Sequence, residues 1–234
     1  MASTYSQERI QTQVRVNSFI RSVYNWMAVG LALTGGVAWM VAGSETLLRL
    51  FLGNRLLFFG LIIAELVLVF TLSARVAKLR ASTATAMFII YAALNGITIS
   101  SIFLIYTSSS IASTFFVCAA TFVATSIYGM TTKKDLTSWG QFLFMGLIGI
   151  IVATLVNFFV HSSAVAMVVS YIGVIVFVGL TAYDTQKLKN MALTQPDGLE
   201  AGVVRKGAIM GALSLYLDFI NLFLMLLQIL GNRD

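Results

Sequence analysis

Charge is scarce in this chain, and so are the residue types that usually carry metal, redox or hinge chemistry. Only 10% of its 234 residues are charged, and it has one cysteine, one proline and one histidine. A single cysteine, Cys118, excludes an internal disulfide, and inside an apolar run it reads as a small packing residue. His161 lies in the short connection His161-Ser162-Ser163-Ala164 and alone makes no metal site, so it reads as a solvated loop residue. No lysine falls inside an apolar run, which removes the Schiff-base chemistry of a retinal receptor. There is no Gly-rich phosphate loop, HExxH pair, Cys/His cluster or nucleophile elbow anywhere in the chain.

What is present is apolar length. Hydrophobic residues make up 59% of the chain, and the mean hydropathy is +0.91, well beyond an ordinary soluble domain. Runs long enough to cross about 30 Å of hydrocarbon occur near residues 24–43, 56–74, 84–106, 111–130, 142–160, 165–184 and 208–230. The expected fold is an all-α membrane protein, one compact seven-transmembrane-helix bundle joined by short connections. Residues 1–23 form the expected N-terminal tail and residues 231–234 a short C-terminal one. Residues 1–20 hold no uninterrupted apolar core, so the first apolar run reads as an uncleaved anchor rather than a signal peptide.

The basic residues set the expected orientation. The N-terminal tail and the connections after the second, fourth and sixth runs carry Arg9, Arg15, Arg21, Arg75, Lys78, Arg80, Lys133, Lys134, Lys187, Lys189, Arg205 and Lys206. The other side has Arg49, Arg55 and Arg233. By the positive-inside rule the N-terminus is cytoplasmic, and an odd number of spans leaves the C-terminus outside. The net charge of +6 is then a topology signal. Spread over four segments without aromatic interleaving, it points away from nucleic acid and leaves the lipid bilayer as the expected surrounding.

Asp218 stands inside the run Gly207–Leu230, about 15 Å from either end and so near mid-bilayer. An ionisable group at that depth faces the bundle interior or a water-filled path. On a helical wheel Gly207, Gly211, Ser214, Asp218, Asn221 and Met225 share one sector, a small and polar stripe on a Leu, Ile and Phe helix. Close packing alone accounts for Gly207, Gly211 and Ser214. It does not account for an aspartate.

Asp184 closes the sixth run and shares its face with Ser170, Gly173, Phe177 and Thr181. An interfacial position is the bland alternative, but an acid near a helix C-terminus opposes the macrodipole, whereas Lys187 and Lys189 suit it. If that helix ends near Leu188, Asp184 lies several ångströms shallower than Asp218, so the two meet only if one helix is shifted or tilted. Two carboxylates brought together in low dielectric cannot both ionise cheaply; they share a proton or take up a cation. Oxygen ligands of this kind, with Ser214 and Asn221 nearby, suit calcium bound weakly and transiently rather than a transition metal.

Glu65 is a third intramembrane acid, flanked on its face by Phe58, Leu61, Leu68 and Leu72, and is expected to look inward into the same cavity, the alternative being a protonated, neutral buried acid. Asn95 and Asn157 read as interhelical hydrogen-bond formers.

Two aspartates on neighbouring helices are reminiscent of intramembrane aspartyl proteases, and Tyr183-Asp184 resembles that family's first motif. The second motif is missing, because Asp218 sits in Tyr-Leu-Asp-Phe and the only proline, Pro196, is in a connection. The chain is expected not to be an enzyme. Ser214-Leu215-Tyr216-Leu217-Asp218-Phe219-Ile220-Asn221-Leu222-Phe223 resembles the seventh-helix signature of the Bax inhibitor motif family. Lys133-Lys134-Asp135-Leu136 is similar to its loop after helix four, and Tyr183-Asp184-Thr185-Gln186 to its sixth-helix aspartate motif. The likeness spans helices two to seven and is nearest to bacterial inner-membrane members.

The resemblance implies seven helices with helix seven central, and a pH-sensitive calcium leak governed by an aspartate pair, here Asp184 and Asp218. It gives Glu65 the place of the acid in helix two, and Arg75 approximately that of an arginine offered to the aspartates as a salt-bridge partner. Ser101 stands where many members have a helix-three proline, which removes the usual cause of a kink there. The connection Thr185–Lys206 is read as long and polar, with a turn at Pro196-Asp197-Gly198. The resemblance also implies a second role, that of a non-conducting modulator of a membrane protease or stress-response partner.

Overall fold

The computed structural model describes residues 2–196 and 198–232, with side chains from residue 11 onward. Asp197 of the expected turn and Arg233 of the outer charge set lie outside the described residues. The helices are α1 (Ala2–Ala42), α2 (Glu45–Phe51), α3 (Arg55–Arg75), α4 (Ala81–Ile99), α5 (Ser108–Thr131), α6 (Thr137–Val160), α7 (Ser163–Thr194) and α8 (Ala201–Leu230). Seven of them, all but the short α2, are long and apolar enough to cross a membrane. The seventh span is therefore α8, and no strand occurs among the described residues.

Local chemistry sets most boundaries. Ser44 begins α2 by accepting a hydrogen bond from the Leu47 N–H, and Asn54 begins α3 by accepting from the N–H groups of Leu56 and Leu57. Thr107 caps α5 through the Ser110 N–H. At the end of α6, His161 takes a left-handed conformation with φ 54° and donates its N–H to the Asn157 carbonyl. Asn157 Oδ1 then accepts from Ser162 N at 3.0 Å. Expected as an interhelical partner, Asn157 instead closes its own helix, because the chain turns back immediately after it.

Three boundaries differ from the sequence reading. The residues ahead of the first apolar run belong to α1, which is helical from Ala2. The α7 helix does not stop near Asp184 but runs to Thr194, and α8 starts at Ala201, so the expected long connection shrinks to residues 195–200. Lys187, Leu188, Lys189, Met191, Ala192 and Leu193 are good helix formers, and the helix ends just ahead of Pro196, where the ring forbids its continuation. The α4 helix tightens into a 3-10 segment at Ser100–Leu104 without a proline. There Ser100 Oγ donates to Ile97 O at 2.6 Å and Ser101 Oγ to Thr98 O at 3.1 Å, local bonds that compete with the α-helical ladder.

The chain forms two compact units, Met1–Ile105 with Lys189–Leu213, and Tyr106–Leu188 with Ser214–Asp234. In the first, α1 lies so close to α4 that a side chain at Gly96 would collide with the Thr34 carbonyl and Val37, and Thr34 Oγ1 donates to Ala92 O at 2.8 Å. Small residues permit such approach in a bilayer. In the second, Gly179 of α7 receives Leu143 of α6, and Gly173 of α7 receives Met225 of α8. Burial is uneven among the spans: 56% of the α8 apolar window is covered by protein, against 33% or less for every other span. That makes α8 the helix on which a buried charge is best sequestered from lipid.

Candidate functional site

Three helices of the second unit build the site. Residues α7 and α8 contribute are brought together by the Gly173–Met225 contact. The α5 helix lies against α8 through Phe115 and Phe122, whose rings meet Phe219 edge-on at 5.6 and 5.4 Å, and through Cys118, whose Sγ is 3.6 Å from the Phe219 carbonyl. It also touches α7, since a Cβ at Gly129 would overlap the Ala182 carbonyl and lie 3.0 Å from Thr185 Cβ. Gly129 is required there because backbone passes against backbone.

Asp218 is 5% exposed, and its Oδ2 has no hydrogen-bond partner. Asp184 lies within electrostatic reach of it, and Lys187, one turn further along α7, acts in turn on Asp184. The depth conflict expected from sequence rested on a helix ending near Leu188. The helix continues ten residues beyond Asp184, and it is the Gly173–Met225 contact between the antiparallel α7 and α8 that sets Asp184 about one helical turn from the level of Asp218. Lys187 itself is exposed, with Nζ 5.9 Å from the centre of the Tyr183 ring. Of the other residues on the polar stripe, Asn221 donates its amide to Leu217 O of its own helix at 2.8 Å, and Ser214 is half-buried.

Glu65 belongs to the first unit and has polar neighbours that its own helix face did not reveal. Thr98 Oγ1 donates to its Oε1 at 2.9 Å, Asn95 Nδ2 reaches its Oε2 at 3.4 Å, and the buried Tyr91 precedes Asn95 by one turn of α4. Asn95 is thus an interhelical partner. Thr98 and Tyr91 are the residues that sequence reasoning missed; the only available signal was the polar pair Asn95 and Thr98 three apart in an apolar run. Arg75 is exposed at the end of α3 and makes no ion pair among the described residues.

The two polar motifs flanking α6 meet each other. Gln186 Oε1 accepts from Leu136 N at 2.9 Å while its Nε2 donates to Lys134 O at 2.8 Å, so α7 holds the α5–α6 loop through its backbone. Within that loop, the Thr137 hydroxyl and N–H both donate to Asp135 Oδ1, which holds the Asp135 carboxyl below the usual carboxylate range. Beside the clasp is a cavity of about 330 Å³ lined by Tyr128, Lys134, Trp139, Leu143 and Tyr183. Tyr183 immediately precedes Asp184, and Gly140 leaves the space its ring fills.

A helical chain with seven membrane-length spans and a buried aspartate in the last of them is a polytopic membrane protein. The sequence pattern of the family described as "Inhibitor of apoptosis-promoting Bax1" matches residues 16–234, and the chain belongs to that family. It is 55% identical over 228 residues to the inner membrane protein YbhL of Escherichia coli K12, with 97% of each chain covered. An uncharacterized protein of Deinococcus radiodurans is 45% identical over 229 residues, covering 98% of this chain and 96% of that one. One from Borreliella burgdorferi is 42% identical over 228 residues, covering 97% of each.

Proposed function

We propose that this protein is a passive, pH-sensitive cation leak of the inner membrane, most suited to calcium, in which Asp184 and Asp218 form the sensing pair. The observation that carries this reading is Asp218: 5% exposed on the most buried span, with one oxygen lacking any hydrogen-bond partner and a second carboxylate within electrostatic reach. Such a pair is tolerable in low dielectric when a proton or a cation offsets it, and exchange between those occupants couples permeation to pH. Carboxylate oxygens favour a hard cation such as calcium, and two of them give weak, exchangeable binding rather than a closed site. A cavity lined by Lys134, Asp135 and Tyr183 adjoins α7 one residue from Asp184.

The orientation supported by the basic residues puts the N-terminus and this cavity, with Lys134 on its wall, on the cytoplasmic side and the C-terminus outside. The inner-membrane assignment follows the name of the Escherichia coli relative. No catalytic role is assigned to the pair. On this reading Glu65, which accepts from Thr98 and Asn95, is assigned a gating role, and Ser214 and Asn221 are assigned to the pore because they share the helix face of Asp218.

The test is calcium flux into proteoliposomes at two pH values for the intact chain, Asp184→Asn and Asp218→Asn. Loss of the pH response in both variants is the expected result. Wild-type flux and pH response persisting in both would refute the pair mechanism. Folded protein that passes no calcium at either pH would favour a non-conducting modulator of another membrane protein.

A further inference from the structure

Besides Asp218 Oδ2, one hydroxyl among the described residues of the second unit is buried without a partner. Ser126 of α5 is 5% exposed, and its Oγ makes no hydrogen bond. A serine inside a helix ordinarily bonds back to a carbonyl one turn earlier, as Thr121, Thr125 and Ser170 do in this protein. Ser126 does not, and an orphaned buried hydroxyl calls for a missing partner such as water or an ion.

Its position follows from contacts on either side. The start of α5 adjoins the end of α8, where Thr107 N donates to Asn232 O and Asn232 N to Ser110 Oγ, so the two helices run antiparallel. Going along α5, Phe115 meets Phe223 and then Phe219, and Cys118 and Phe122 meet Phe219. Ser126 follows Phe122 by one turn on the same face, which sets it one turn beyond Phe219 toward the beginning of α8. Helical side chains lean toward their own N-terminus, so the Asp218 carboxylate covers that same turn.

The other neighbour is α7. Gly129, three residues past Ser126 on the same face, packs on Ala182 and Thr185, the residues that bracket Asp184. The Asp184 side chain leans back along α7 toward the Ser126 level by the same rule. Ser126 is therefore flanked on α5 by the residue that touches Phe219, next to Asp218, and by the residue that touches Ala182 and Thr185, around Asp184.

We infer that Ser126 Oγ is a third oxygen ligand of the aspartate site, sharing a bound calcium ion with Asp184 and Asp218. The chemistry is that of a hard, oxygen-liganded divalent cation, with a neutral hydroxyl completing what two carboxylates leave open. This assignment rests on the leak reading for its physiological meaning but not for its measurement. Two readouts separate them: the calcium dependence of flux in proteoliposomes, and the calcium-induced shift of carboxylate infrared bands in detergent, where no transport is needed.

Ser126→Ala, which removes one oxygen and adds nothing, is expected to raise the half-saturating calcium concentration several-fold in both readouts. Ser126→Thr, which keeps the hydroxyl, is expected to restore it. If the carboxylate shift is present and weakened by Ser126→Ala while no variant or wild type carries flux, the leak reading falls and the ligand assignment stands. If Ser126→Ala matches wild type in both readouts, the ligand assignment is overturned and the leak reading is untouched. A wild-type protein whose carboxylate bands do not respond to calcium overturns the assignment as well.

Discussion

Replacing Thr98 by valine keeps the side-chain shape and removes one hydroxyl from the Glu65 cluster. Thr98 Oγ1 lies 2.9 Å from Glu65 Oε1 and 3.0 Å from the Asn95 carbonyl. One proton serves a single acceptor at full strength, and a carboxylate is the stronger of the two. The second Glu65 oxygen has only Asn95 Nδ2 at 3.4 Å, at the long edge of a useful bond. The substitution thus leaves Oε1 without its near donor. Hydrogen bonds to charged groups contribute about 1.5–3 kcal/mol, whereas interhelical bonds within bilayers average about 0.6 kcal/mol. Half-burial of Glu65 and the competing carbonyl place the expected loss between these, at about 1–2 kcal/mol. The assay is equilibrium unfolding in mixed micelles, run as a double-mutant cycle with Glu65→Gln. Because glutamine keeps an acceptor but not the charge, the expected coupling is about 1 kcal/mol. Thr98→Ser, which retains the donor, should stay near wild type. A coupling below about 0.3 kcal/mol would mean that the two groups do not support each other and that the reasoning is wrong.

Other contacts give equally direct expectations. Gly129→Ala drives a methyl group into the Ala182 carbonyl, which cannot rotate away, so a loss of about 1–3 kcal/mol is expected in the same unfolding assay; wild-type stability would show that α5 and α7 do not pack this closely. Gln186→Leu strips two backbone bonds from the α5–α6 loop, so trypsin should cut faster after Lys133 and Lys134, and unchanged cleavage would count against the clasp. Asp135 has a depressed folded-state pKa, so its contribution to stability is present above the unfolded value and is lost as pH falls through the folded one. Thr137→Val removes the hydroxyl donor, and the Asp135 midpoint in an NMR titration should move upward; an unmoved midpoint would assign the effect to some other group.

The limits of reading each site from sequence can be seen residue by residue. Asp218 was legible because its depth follows from counting apolar residues along one helix. Glu65 was legible as an anomaly, but its partner Thr98 lies 33 residues away on another helix, and no one-helix wheel brings them together. The extension of α7 to Thr194 was in principle readable, since its residues are helix formers and Pro196 supplies the stop. Polarity along the chain suggests a loop there, while Thr185, Gln186 and Leu188 are in fact buried against neighbours. Ser126 gave no signal at all, because one serine in an apolar helix looks like packing material until its neighbours are known.

By itself, the sequence determined that this chain lives in a membrane, that it offers seven spans, and that an acid stands deep in the last of them. These properties are one-dimensional: hydrocarbon excludes unsatisfied backbone, so length and polarity along the chain dictate helices and their ends. Which polar groups meet was decided only by tertiary packing. The approach of Asp184 to Asp218, the hold of Thr98 on Glu65 and the place of Ser126 depend on helix rotation and register. Those are fixed by close contacts such as Gly129 on Ala182 and Gly173 on Met225, where the absence of a side chain lets two helices touch.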